Sequence, residues 1–268
     1  MLSRLNRVAG QVQTFMQEYQ FGEAQRAVHD FLWGEYCDWY LEMSKIRMRA
    51  GDDSPLPILA HVLEQTLRLL HPFMPFITEE IWRNLIARLP SEGEPEGLVQ
   101  GSVPESVMVA DYPLALSPRI DNQAEEEIAL IIQAIRAVRN TRSQLRIPAS
   151  QQLEAVIEAD GPRDTVREAI EEEAEVIRSL SRVEPLHIKS QGAGQVQDSW
   201  DEAGTEKWSR GITLVVNPLV IRLTLEGVVD LSAEVGRLRG ELDGSLKNLQ
   251  RVEALVSNPN FKAKAKPE

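Results

Sequence analysis

The amino-acid sequence predicts a mainly α protein: an antiparallel helix bundle, then a small α+β unit, then one helix of a coiled coil. Three observations carry that expectation. Apolar residues recur at helical spacing through residues 1–90. The pattern turns to strand-like alternation beyond Pro148. A heptad repeat then occupies the final segment. The predicted units are a bundle over 1–147 with a Pro/Gly-rich connector at 90–118, an α+β domain over 148–229, and a truncated coiled-coil arm over 230–268.

Composition sets the class. The 268 residues are 43% apolar and 26% charged, enough for about two packed units at ~100–200 residues each. The formal charge is −12, from 29 basic and 41 acidic residues, which excludes a protein that coats nucleic acid nonspecifically but leaves room for a local basic site. Cys37 is the single cysteine, so no internal disulfide or multi-cysteine zinc site can form, and a reducing cytosol is the fitting compartment. No stretch reaches the ~18 uninterrupted apolar residues that would span a bilayer, and residues 1–7 lack a secretory signal. A cytoplasmic protein with no membrane contact is expected.

Each element has its own signal. From Phe21, the positions Phe21, Ala24, Val28, Leu32, Trp39, Met43 and Ile46 trace one face of a long helix. Gly51 to Pro55 supplies a stop, a serine cap at Ser54 and a proline for the next first turn. The following helix carries Ile58, Leu59, Val62, Leu63, Thr66, Leu67 and Leu70 on its apolar stripe and ends at His71-Pro72. Another runs from about Ile77 to Leu89. The connector holds five prolines and three glycines, with a short strand expected at Val107-Met108-Val109. Residues 121–144 form a helix with Asp121, Glu125, Glu126 and Glu127 at its start and arginines toward its end, which suits the helix dipole.

Farther on, Leu153, Ala155 and Ile157 alternate as a strand does. Pro162 to Ser181 reads as a helix, and Val183 to Ile188, Ile212 to Val216 and Val220 to Leu225 read as strands. In the last helix Val235, Leu242, Leu249 and Val256 take one seam position, and Leu231, Leu238 and Val252 the other. Such a seam, weakened by Gly236, Gly240 and Gly244, needs a partner helix. The chain turns at Asn258-Pro259-Asn260-Phe261 and stops too soon to supply one, so a longer natural chain is expected.

The strongest chemical signal is a charge anomaly. Between Ile131 and Ser150 stand Arg136, Arg139, Arg142 and Arg146 with no acid, inside an acidic chain. Guanidinium groups stay charged and present planar donor forks, so they suit phosphate oxygens or base edges, although helix-end arginines also simply complement the dipole. A second basic group, Lys45, Arg47 and Arg49, follows Asp38 and Glu42 at spacings that also make an exposed ion-pair ladder. Of the aromatics Phe31, Trp33, Tyr36, Trp39 and Tyr40, at most one or two are expected to face a ligand. The acids Glu171, Glu172 and Glu173 read as a solvated helix face. His29, His61, His71 and His187 have no metal-ligand spacing, and neither a phosphate loop nor a nucleophile elbow is present, so no catalytic and no metal residue is assigned.

The string from Phe31 to Lys45, FLWGEYCDWYLEMSK, resembles the helix that follows the catalytic domain in valyl-tRNA synthetases, a family of class I aminoacyl-tRNA synthetases. His71 to Trp82, HPFMPFITEEIW, is similar to a helix junction shared by the valine, isoleucine and leucine enzymes. Ile135 to Arg142 followed by Ile147-Pro148 is similar to the Arg-rich segment of the valine family, and Leu255 to Phe261 to the tip of its coiled coil. The Cys-poor composition and the heptad arm favour valine over isoleucine. Met43-Ser44-Lys45 echoes the ATP-binding Lys-Met-Ser-Lys-Ser loop only by coincidence, since it falls inside a helix.

The resemblance implies the C-terminal portion of such an enzyme, without the nucleotide-binding fold, the editing domain or aminoacylation activity. It implies no cofactor in this chain, ATP belonging to the absent catalytic domain, and partners in tRNA(Val) and in the catalytic and editing domains of the parent. The tRNA contacts it points to are Arg136, Arg139, Asn140, Arg142 and Arg146, with Lys45, Arg47 and Arg49 as a further group. A competing reading is a helical interaction module that pairs, or self-associates, through the heptad helix.

Overall fold

The computed structural model describes residues 1–88, 104–115, 120–159, 165–190, 211–225, 227–228 and 231–257. The turn expected at Asn258 to Phe261 and residues 89–103 of the connector lie outside them. The chain forms two compact units, one of Met1–Arg136 with Gly161–Ser181, the other of Ala137–Asp160 with Arg182–Glu268. The mainly α class with a small sheet is what the structure has.

The first unit is helical. Helix α1 spans Leu2–Gln17 and α2 Phe21–Phe31; the same helix continues as a π-wound stretch, Leu32–Tyr40, and then as α3, Leu41–Arg49. Helices α4 (Pro55–Leu70) and α5 (Pro75–Ile86) follow, and α6 begins at Asn122. Val8, Val12, Ala24, Val28, Phe31, Val62 and Leu69 form the main core and are almost wholly buried. Tyr36 joins it, donating its hydroxyl to the Leu59 carbonyl at 3.0 Å, and burial pushes its phenol up to about 12.

The π stretch departs from the single helical face that periodicity predicted. Buried positions run Ala24, Val28, Phe31 and then, after a step of five, Tyr36, Trp39 and Met43. The Leu41 N–H donates to the Tyr36 carbonyl, five residues back. Ordinary α winding would bring Glu35 toward the core; the wider turn brings in Tyr36 and leaves Glu35 to a salt bridge.

The stop at Gly51 is as expected and complete in its hydrogen bonds. Gly51 has φ +88°, its N–H reaches the Met48 carbonyl at 3.0 Å, and Asp52 N–H reaches Arg47 at 3.1 Å. That left-handed cap is cheap only for glycine. Ser54 does stand at the N-cap of α4, yet its hydroxyl makes no capping bond; Arg47 Nη2 approaches it at 3.5 Å instead. Pro55 opens the helix, as expected.

A second, smaller core joins Leu67 of α4, Trp82 of α5 and Val107. Trp82 is fully buried and donates its indole N–H to the Pro104 carbonyl at 3.2 Å, while the Arg68 guanidinium lies 5.3 Å from its ring centroid. Glu79 accepts from both the Ser106 hydroxyl and the Val107 N–H. Val107–Val109, expected as a strand, is a 3-10 turn whose N-cap Ser106 accepts from the Met108 N–H. Among the described residues no strand pairs with it, and a local turn satisfies the backbone instead.

Helix α1 is clamped to the start of α6 by charge. Arg4 makes a two-pronged bond to Glu35 at 2.6 and 2.7 Å and lies 3.5 Å from Glu125. Arg7 reaches Glu125 at 3.1 Å and Asn122 at 2.7 Å, and the Ser3 hydroxyl donates to Glu125 while accepting from the Asp121 N–H. Burial pushes the Glu125 carboxyl upward, but the bonds from Ser3 and Arg7 and the charges of Arg4 and Arg7 outweigh it and hold it below the ordinary range. Helices α7 (Thr165–Glu172) and α8 (Ala174–Ser181) also belong to this unit; the single helix expected over 162–181 breaks at Glu173.

The second unit is built on a four-stranded sheet in the order β2-β1-β4-β3, with β1 Leu153–Ala159, β2 Val183–Ser190, β3 Ile212–Val216 and β4 Leu219–Leu223. Strand β1 runs parallel to β2 and antiparallel to β4, and β3 and β4 form a hairpin through Asn217-Pro218. The β1–β2 register slips between Leu153 and Ala155, opposite the stretch that holds Pro185, which has no N–H to give to the ladder. Leu153, Ile157, Leu219, Ile221 and Leu223 fill its core. Helix α6 runs on to Gln144, and helix α9, Leu231–Ser257, ends the described chain.

Two outcomes are expected of the helical unit. Trp82→Ala removes the centre of the small core and orphans the Pro104 carbonyl, so urea unfolding followed by circular dichroism should register a loss of about 3–5 kcal/mol; a change below about 1 kcal/mol would contradict that role. Glu125 is a carboxyl with a depressed folded pKa, so its stabilisation is complete above the ordinary carboxylate range and is lost as pH falls through the folded value. Melting temperatures measured across acidic pH should therefore fall in the parent, and Glu125→Gln should flatten that part of the profile.

Candidate nucleic-acid interface

The π winding shapes a cleft in the helical unit. It measures 740 Å³ and is lined by Gly34, Glu35, Trp39 and Tyr40 of the π stretch, Met43, Ser44 and Arg47 of α3, Ser3, Arg4 and Arg7 of α1, the α6 face from Asn122 to Arg136, and Glu173. That volume is in the range of sites for small organic groups, ~300–1,000 Å³.

Its electrostatics are mixed rather than basic. Four arginines, 4, 7, 47 and 136, face four glutamates, 35, 125, 126 and 173. Arg4 and Arg7 are held by Glu35 and Glu125, and Arg47 is bonded to Asp52 at 2.8 Å. Arg136 is exposed, makes no ion pair among the described residues, and holds its guanidinium 5.1 Å from the ring centroid of buried Trp39. A stacked arginine keeps its edge donors available while its face is engaged, so this pair offers a flat surface with hydrogen-bond donors beside it.

The remaining predicted contacts fall as follows. Lys45 is paired with Glu42 at 2.6 Å, three residues back along α3, and does not line the cleft. Arg49 is exposed at the end of α3 and has no hydrogen bond or ion pair among the described residues. In the second unit, Arg139 and Asn140 are exposed on α6, and Arg146, just past that helix at φ +54°, lies 3.7 Å from Glu241 with both side chains mostly in solvent.

Arg142 corrects the expectation. It is 6% exposed, and its guanidinium donates to the backbone carbonyls of Pro148 at 2.8 Å, Gln151 at 2.5 Å and Arg182 at 3.2 Å. Burial, with the nearby Arg182 charge, lowers its pKa. Three carbonyls engage the fork, so this side chain ties α6 to the segments flanking β1 and β2 and presents no donor face to RNA.

Among the aromatics, Phe31, Tyr36 and Trp39 are core residues, whereas Trp33 is 55% exposed with its ring 6.3 Å from that of His29. Met43 and Ser44 are buried inside α3, so the three residues that echo an ATP loop have no freedom to act as one. Glu173 also departs from expectation. Glu171 and Glu172 are exposed, but Glu173 is half-buried and lines the cleft. Sequence reading missed it, along with Arg4, Arg7 and Glu35; a charged residue within the first helical turns opposite an acid-opened helix was the available signal for the arginines alone. Among the described residues no three His, Cys, Asp or Glu side chains are grouped to hold a metal ion, and no helix is long and apolar enough to cross a membrane.

Comparison with known proteins matches the sequence to a family. Residues 1–157 match the anticodon-binding domain of tRNA ligase. Over nearly its full length the chain is similar to valine–tRNA ligases: 36% identical over 266 residues to that of Dehalococcoides mccartyi, 32% over 268 residues to that of Bacillus subtilis, and 36% over 273 residues to that of Symbiobacterium thermophilum. Those alignments cover 98%, 98% and 99% of this chain but 28%, 27% and 28% of the relatives, so the chain spans little more than a quarter of their length. With the helix bundle, its cleft and this match over more than half of its residues, the chain belongs to the anticodon-binding domain family of tRNA ligases.

Proposed function

We propose that the chain is the tRNA-gripping portion of a valine–tRNA ligase, acting on tRNA(Val) beside catalytic and editing domains carried elsewhere in the parent polypeptide. ATP chemistry would belong to that catalytic domain, and the working compartment is the cytosol. The observation that carries the reading is Arg136: in a chain of net charge −12, a guanidinium without an ion pair among the described residues is stacked on Trp39 at the edge of a cleft. Such a group serves a polyanion with exposed bases better than it serves the fold.

The contacts follow from exposure. Arg136, Arg139 and Asn140 are exposed on α6 and are the primary set; Arg146, Lys45, Arg47 and Arg49 are secondary, and RNA would have to displace the acidic partners of the first three. Arg142 leaves the set for the reason given above.

A second association is favoured by α9. Val235, Leu242, Leu246, Leu249, Val252 and Val256 are each about half-exposed along one helix. A helix in that state is marginal in water and gains by pairing, in this isolated chain with a second copy.

Two measurements bear on these readings. Titration of valine-specific tRNA should give a clear salt dependence, with Arg136→Ala and Arg139→Ala each weakening binding and lowering the slope of log K against log salt by about 0.9. Equal binding by parent and both variants would remove the proposed face. In sedimentation, the parent should show concentration-dependent self-association that Leu242→Lys with Leu249→Lys abolishes; a monomer at high concentration would argue against pairing through α9.

A further inference from the structure

Helix α5 turns much of its apolar surface outward. Between residues 72 and 81, Pro72, Met74, Pro75, Phe76, Ile77 and Ile81 are exposed, Phe76 at 90%. Met74, Ile77 and Ile81 recur at steps of three and four, so they share one flank of the helix, and Phe76 adjoins them in its first turn. The inward face is complete without them: Thr78 and Trp82 are buried, and Leu85 and Ile86 pack on the small core. Other exposed aromatics have a ring neighbour, Tyr19 with Phe21 and Trp33 with His29. Phe76 has none among the described residues.

The knob is held in shape from within. His71 Nδ1 lies 2.7 Å from the Thr78 hydroxyl, which donates to the Met74 carbonyl at 2.9 Å. The Phe73 and Met74 N–H groups both reach the Leu70 carbonyl, at 2.9 and 3.0 Å, and Pro72 and Pro75 fix their own φ angles. A surface ordered in advance loses little entropy on docking. Its polar neighbours are already engaged. Glu79 accepts from Ser106, Val107 and Arg83, and Glu80 accepts from the Asn84 amide. Arg83 is the only cation of α5, so a polyanion meets two carboxylates here and gains no free positive charge.

What fits such a face is an apolar protein surface, and lasting interfaces are the apolar ones. The chain spans little more than a quarter of the length of the valine–tRNA ligases it matches, so most of a polypeptide of that kind lies outside it. A tethered surface meets α5 at high effective concentration, which a free partner does not. We propose that the exposed apolar flank of α5, centred on Phe76 and Ile77, is the seat on which the rest of the parent polypeptide docks. The inference goes beyond tRNA binding and rests only on the reading of this chain as one portion of a larger ligase.

The test compares hydroxyl-radical footprinting of the isolated chain with that of the full-length polypeptide, read by mass spectrometry at Met74 and Phe76. Both residues should be oxidised readily in the chain alone and lose that labelling in the full-length polypeptide. Phe76→Asp with Ile77→Asp places acids where a first helical turn tolerates them. It should shift the melting temperature of the isolated chain by no more than about 2 °C, as befits exposed positions. In the full-length polypeptide the same pair should restore labelling at Met74; continued protection would place the docking face elsewhere and overturn the inference. Equal labelling of the two unsubstituted proteins overturns it as well and leaves tRNA binding untouched. Protection in the chain alone also overturns it: growth with protein concentration would assign the face to a second copy, and appearance on adding valine-specific tRNA would assign it to RNA. Should the native polypeptide carry no further domains, the reading as a portion of a ligase falls and takes this inference with it.

Discussion

A five-residue step in one helix governs the helical unit of this molecule. Between Phe31 and Tyr36 the helix that starts at Phe21 widens into π winding, and everything about the cleft follows from the phase change. Tyr36 and Trp39 turn into the core, Glu35 turns out to meet Arg4, and Gly34 leaves a stretch of wall without a side chain. Ordinary winding would turn the Glu35 carboxylate toward the apolar interior, and the wider turn keeps that charge out of it. Segments of this kind recur at functional sites because they re-aim side chains without ending the helix.

Charge pairing then holds the cleft in shape. Ser3, Arg4 and Arg7 converge on Glu125, and Arg4 also grips Glu35, so three helical segments are joined by one network whose members are largely removed from water. Such a network fixes geometry more than it stabilises, because desolvation cancels much of the Coulombic gain. Arg136, stacked on buried Trp39, and the half-buried carboxylate of Glu173 have no ion pair among the described residues.

The arginines illustrate why composition is a poor guide to binding. Arg136 and Arg142 stand six residues apart in the same acid-free run, yet one lies exposed on an indole and the other is buried against three carbonyls. Nothing in their spacing separates them. The difference arises from the chain that returns beside α6, through Pro148, Gln151 and Arg182, whose carbonyl groups need donors once buried. The same holds for the acids 171–173, where a helix break at Glu173 turns one member of a solvated run into the cleft.

What the amino-acid sequence determined by itself is the set of local decisions. The stop at Gly51 was legible because a positive φ selects glycine, the end of α4 because His71-Pro72 cannot continue a helix, and the strands because alternation follows the pleat. The family resemblance was legible for the same reason, in contiguous strings such as residues 31–45 and 71–82. Only the tertiary structure decided the π phase, the 3-10 turn at Val107–Val109, the burial of Arg142 and the turning of Glu173 into the cleft. Those depend on partners far away in the chain, as Ser3 is from Glu125, and burial and ion pairing act through space at ångström range rather than along the sequence.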